Sequence, residues 1–149
     1  MVTETKTVQI AHVWDQVAFT KPRNMVRLAE QADDIRLALN CYSPGDKNEM
    51  HYHVGTGQSF LVLKGPVTLR SRYKDEPKSA DKEYTLNEGD CILIPADVYY
   101  QMENPGPHDA VLYQVKQMDA GEISVEGKGI MKASEYFTKE RQNTKNITD

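Results

Sequence analysis

Cysteine is scarce in this 149-residue chain: Cys41 and Cys91 are the two present, and neither has a second cysteine at metal-binding spacing. That excludes a cysteine-built zinc site and a disulfide-stapled secreted scaffold, and it suits a compartment in which thiols stay reduced. Both cysteines sit within apolar runs, so each reads as a small buried hydrophobe. Long apolar stretches are missing as well. None approaches the roughly 18–20 residues that cross a bilayer, and no membrane partner is expected. The opening MVTETKTVQI has neither the cationic head nor the apolar core of a secretory signal, which makes the cytoplasm the expected location. An excess of positive charge is also absent. Lys and Arg number 18 against 22 Asp and Glu, for a net charge of -4, and no basic stripe gathers the cations, so nucleic acid is a poor partner.

What is present is strand after strand. From about residue 24 to 118, short runs alternate apolar and polar residues and are broken by Gly, Pro, Asn and Asp. The runs are Met25–Glu30, Ile35–Tyr42, Glu49–His53, Ser59–Leu63, Val67–Tyr73, Lys82–Leu86, Cys91–Ile94, Tyr99–Glu103 and Ala110–Lys116. With no helix between them, they imply an all-β sandwich or barrel. Residues 1–23 form an N-terminal arm, 24–118 the barrel, and 119–149 a C-terminal extension. Within that extension Met131–Arg141 can form a short helix that lays Met131, Tyr136 and Phe137 on the barrel. Lys74–Asp81 reads as an exposed hairpin loop.

One stretch carries chemistry. In an extended strand, residues two apart share a face, so His51 and His53 point together, with Glu49 on the same side. Two imidazoles about 7 Å apart along a strand can converge on one ion. Gln58 follows the Gly55-Thr56-Gly57 turn, and its amide oxygen can supply a third ligand. Phe60 shares the face of Gln58 and gives an apolar lining, as does Met102 beside Tyr100.

The order Gly45, five residues, His51-x-His53, four residues, Gln58, six residues, Gly65 resembles the first motif of the cupins. Gly89, five residues, Pro95, one residue, Asp97, two residues, Tyr100, three residues, Asn104 resembles the second. The resemblance implies a double-stranded β-helix, the jelly-roll barrel of that family, here with a short C-terminal helix. It also implies a divalent transition metal (Fe, Zn, Ni, Mn or Cu) held by His51, His53, Gln58 and Tyr100. Gln58 stands where a glutamate is customary, Tyr100 where a third histidine is, and Asp97 where a glycine is. The first exchange removes a negative charge from the ligand set; the second puts a neutral phenol in place of an imidazole.

Three readings follow. A metal-dependent enzyme would act on a small oxygenated molecule as an oxygenase, an isomerase or cyclase, or a lyase. A metal-free enzyme of dehydratase or epimerase type would use His51 and Tyr100 as an acid–base pair. A binding module would hold the molecule without turnover. Around this centre, Glu49 reads as a solvated rim carboxylate, His12 and His108 as surface histidines, and Tyr52 and Tyr99 as packing residues on the opposite face. Trp14 docks the arm onto a barrel; if the barrel belongs to a second subunit, the result is a homodimer. Arg27 and Arg36 are expected in solvent, and either one facing inward would imply an anionic substrate.

Overall fold

The computed structural model describes residues 7–31, 34–117 and 121–136. Its elements are α1 (Val13–Gln16), β1 (Asn24–Glu30), β2 (Ile35–Tyr42), β3 (His51–His53), β4 (Gln58–Lys64), β5 (Val67–Tyr73), β6 (Lys82–Leu86), β7 (Cys91–Ile94), β8 (Val98–Glu103), β9 (Ala110–Gln117), β10 (Glu122–Val125) and β11 (Gly129–Lys132). Two antiparallel sheets face each other in a jelly-roll arrangement. One has the order β1-β2-β9-β4-β7 and the other β11-β10-β3-β8-β5-β6. A 3-10 turn, Lys78–Ala80, lies in the loop between β5 and β6.

The inward faces meet in an apolar core that includes Tyr42, Phe60, Val62, Leu69, Tyr100, Met102 and Leu112. Burying a side chain of that size contributes about 1.5–3 kcal/mol, and here both sheets contribute to one cluster. The two sequence motifs close the barrel. Gly45 turns with φ at 86° and donates its N–H to the Asn104 carbonyl at 2.9 Å. The Asn104 side chain donates to the carbonyls of Tyr42 and His108 at 2.9 and 2.8 Å. These residues therefore lock the end of β2 to the end of β8.

The outward face of the five-stranded sheet is apolar as well. Val26, Leu39, Cys41 and Val111 form a cluster there, covered by Val13 and Val17 of the arm. The arm thus docks on its own sheet through those valines, while Trp14 remains 62% exposed. Along β9 the apolar residues Val111, Tyr113 and Val115 alternate with Leu112, Gln114 and Lys116, and the second set faces the interior.

Three expectations need correction. Cys91 begins an edge strand with its side chain outward and is exposed, whereas Cys41 is buried as expected; both thiols are free. Arg36 is buried at 1% exposure, because its position on β2 shares the inward face of Ala38 and Tyr42. Met131 and Lys132 are strand, held in register opposite Ile123 and Glu122. Helical backbone begins only at 133–136, and Phe137–Arg141 lies outside the described residues. Strands β10 and β11 extend the six-stranded sheet beyond β3, with Ile123 opposite His53. Among the described residues no helix is long and apolar enough to cross a membrane.

Candidate functional site

His51 and His53 sit on β3 with their rings directed inward, at 2% and 9% exposure. Their ring centroids are 5.2 Å apart. Tyr100 on β8 is the cross-strand partner of His51, with ring centroids 4.6 Å apart. Tyr136, from the helical turn, stacks beside His51 at 6.0 Å and donates to Glu49 at 3.4 Å. Glu49 itself is ion-paired with Lys128 at 2.7 Å and stays at the rim. Tyr52 and Tyr99 pack together outside, at 4.7 Å. His12 and His108 are exposed, away from this group.

The backbone sets the chemistry of both histidines. The Glu49 carbonyl lies 2.7 Å from Nδ1 of His51. A carbonyl can only accept, so Nδ1 carries a proton, and in the neutral ring the lone pair lies on the buried Nε2. For His53, Asp97 donates its N–H to the backbone carbonyl at 2.9 Å, from a left-handed turn at φ 66°. This is the position where a glycine is customary, and aspartate is among the few residues that tolerate it. The His53 imidazole is pushed down to about 2 by burial, then by His51 and by the Lys116 ammonium. It stays neutral at any ordinary pH.

Facing these rings, the five-stranded sheet presents a line of amides. Arg23 donates to Asn40 Oδ1 at 3.2 Å, and Asn40 Nδ2 to Gln114 Oε1 at 2.8 Å. Gln114 Nε2 donates to Gln58 Oε1 at 2.6 Å, and Gln58 Nε2 to Tyr100 Oη at 3.1 Å. The direction of the line is fixed at its rim. A guanidinium has no acceptor, so Asn40 must turn its oxygen to Arg23, and every amide after it is oriented in turn. The last link makes the phenolic oxygen of Tyr100 an acceptor.

That orientation decides whether the residues fit a divalent metal. Gln58 directs its oxygen to Gln114 and its NH2 group to Tyr100, and an NH2 group is no ligand. Two imidazoles remain, with the Lys116 cation acting on that of His53 and no carboxylate beside them in the ligand set. Among the described residues no three His, Cys, Asp or Glu side chains gather at one point. The set does not fit a three-ligand divalent metal centre.

Sequence reasoning brought His51, His53, Gln58, Tyr100 and Phe60 together, and they do meet; the Phe60 ring lies 5.9 Å from Tyr100. Met102, at 1% exposure, is buried in the apolar core. Asn40, Gln114 and Lys116 were missed; Arg36, expected in solvent, is the inward-facing arginine, and Tyr136, expected to pack on the barrel, lies beside His51. For Gln114 and Lys116 the signal was a pair of polar residues two apart on the face of Leu112. It was masked because Val111, Tyr113 and Val115 made the other face look like the core side.

A family model described as Cupin domain matches residues 38–116. No curated protein matches the sequence. Among solved structures, the capsular polysaccharide assembling protein CapF from Staphylococcus aureus aligns with a TM-score of 0.60 at 22% identity, over 68% of this chain and 30% of that one. This chain therefore spans less than a third of CapF. The protein TT1209 from Thermus thermophilus aligns with a TM-score of 0.61 at 20% identity, over 74% of this chain and 97% of that one. A conserved Klebsiella pneumoniae protein with a double-stranded beta-helix domain gives 0.62 at 15% identity, over 80% and 97%. At these identities the likeness concerns the fold.

Proposed function

The chain belongs to the cupin family, and from that premise we propose that its barrel binds a small oxygenated molecule and moves a proton on it, as an isomerase or dehydratase does. The observation that carries this reading is the amide line ending at Tyr100. It holds the phenolic oxygen as an acceptor and so fixes the phenol beside the His51 ring, 4.6 Å away between centroids, where it can serve as the acid. His51, with Nδ1 committed to the Glu49 carbonyl, offers Nε2 as the base. His53 remains neutral and closes the wall. Two proteins of this fold hold small oxygenated molecules: CapF with 3-isopropenyl-tropolone as inhibitor, and an oxalate oxidase with glycolate.

A homodimer through the outward face of the five-stranded sheet belongs to the same proposal. Leu28, Leu37, Leu63 and Tyr113 line a groove of about 370 Å³ beside Trp14. Leu93 on the same face is 73% exposed. An uncharged face can meet its own copy across a two-fold axis without like-charge repulsion.

The test is exchange of carbon-bound hydrogen for solvent deuterium in a panel of small hydroxy and keto compounds, followed by NMR. The wild-type protein should label at least one compound. His51→Gln and Tyr100→Phe should each slow that labelling by about 10²–10⁴-fold. Unchanged labelling by both variants removes the acid–base pair. Elemental analysis of untagged protein tests the alternative: one equivalent of a transition metal, lost in His51→Ala/His53→Ala, would overturn the metal-free reading.

A further inference from the structure

Arg23 stands half-buried at the rim, immediately ahead of β1. Between it and the Tyr100 phenol lie the buried amides of Asn40, Gln114 and Gln58, joined by hydrogen bonds of 3.2, 2.8, 2.6 and 3.1 Å. Every link inside this line is equally good in either direction, because an amide side chain has one accepting end and one donating end. The hydroxyl of Tyr100 also serves either way. Arg23 is different, since a guanidinium carries donors only. The direction is therefore decided at the end farthest from Tyr100.

The neighbours of Arg23 hold it in place. Asn24 pairs with Cys41 across β1 and β2 and donates from Nδ2 to the Ala18 carbonyl at 2.8 Å. On the other side Lys21 Nζ meets the Asp46 carboxylate at 2.8 Å. In the direction observed, Gln58 gives a hydrogen to Tyr100 Oη. In the opposite direction Gln58 would present its oxygen and take the phenolic hydrogen. Tyr100 would then have to break that bond before protonating a bound molecule.

We propose that Arg23 is a positioning residue for Tyr100: from the rim of the barrel it fixes the polarity of the amide line, so that Gln58 donates to the phenol instead of accepting from it. The consequence for proton transfer rests on the acid–base reading above; the polarity does not. Two substitutions on the line have opposite expectations. Arg23→Lys keeps a cation with donors only and should keep the direction. Asn40→Asp preserves the shape of the side chain, but a carboxylate beside Arg23 stays ionised and can only accept. Gln114 must then turn its NH2 group to that carboxylate, which leaves its oxygen for Gln58 Nε2 and the oxygen of Gln58 for the Tyr100 hydroxyl.

Solution NMR of the full chain, with tyrosine isotopically labelled at Cζ, reads the polarity directly, because the shift of that carbon differs between a donating and an accepting phenol. Tyr100→Phe assigns the resonance. Asn40→Asp should displace it, and Arg23→Met should displace it in the same direction by a smaller amount. Arg23→Lys should leave it at the wild-type position, with thermal melts confirming that each variant folds. In the deuterium labelling, Asn40→Asp and Arg23→Met should slow exchange by about two- to tenfold, the worth of one hydrogen bond, and Arg23→Lys should recover it. Should Asn40→Asp or Arg23→Met fail to fold, the other decides alone. An unmoved Tyr100 resonance in either folded variant, or a displacement in Arg23→Lys as large as in Arg23→Met, would each overturn the proposal. If the resonance moves as expected while Tyr100→Phe labels at the wild-type rate, the acid–base reading fails and the positioning role stands. If labelling needs Tyr100 and the resonance stays still, the positioning role fails and the acid–base reading stands.

Discussion

Lowering the pH from 7.5 to 5.0 should cost the fold about 2 kcal/mol through His53 alone. The imidazole is held down to about 2 in the folded state by burial, by His51 and by Lys116, whereas in the unfolded chain it returns to a reference value of about 6.5. Below that value the unfolded chain takes up a proton that the folded one refuses, so stability falls as acid is added. The contribution is complete above the unfolded value and is lost progressively as the pH drops toward the folded one. At pH 5.0 the unfolded state gains RT ln(1 + 10^1.5), about 2 kcal/mol, and this figure is the same for any folded-state value below about 4. Urea unfolding followed by circular dichroism at pH 7.5, 6.5 and 5.0 measures it. The comparison is His53→Gln, whose amide does not titrate. The wild-type protein should lose about 2 kcal/mol more than the variant over that range. Equal losses, or an NMR titration of the His53 ring with its midpoint near pH 6.5, would refute the reasoning.

The remaining predictions concern local chemistry and packing. In native protein one thiol, the exposed Cys91, should react quickly with a disulfide reagent, while Cys41, buried and with its thiol pKa pushed up by burial, reacts only after unfolding; two fast thiols would contradict this. Leu112→Ala removes a side chain at 0% exposure in the core between the sheets and should cost about 2–5 kcal/mol by chemical denaturation. Asp97→Gly should leave stability within about 1 kcal/mol of wild type, whereas Asp97→Val, forcing a β-branched residue to φ 66°, should cost about 1–2 kcal/mol or more. A valine tolerated there without loss would show that the turn is not held in the left-handed region.

Much of the fold was legible because strand periodicity is a local property. Ile35–Tyr42, Val67–Tyr73, Lys82–Leu86 and Cys91–Ile94 lie where alternation and turn residues put them. The pairing of His51 with His53 on one face follows from the same two-residue period, and so does the distance of Tyr52 from the site. Strands β10 and β11 were illegible. Glu122–Val125 and Gly129–Lys132 are short, and what makes them strands is the free edge of β3 beside them, which no local pattern announces.

By itself, then, the sequence determined which residues lie along the strands, where the chain turns, and that two imidazoles share a face. Those depend on backbone geometry and on neighbours within a few positions. Only the tertiary structure decided which face of β9 is the inside, because the arm covers the apolar face of Val111 and turns Gln114 and Lys116 toward the histidines. It alone decided the direction of the amide line. Arg23, Asn40, Gln114, Gln58 and Tyr100 are distant in the chain, and the orientation of each is set by the donor before it, starting from a guanidinium that can only give.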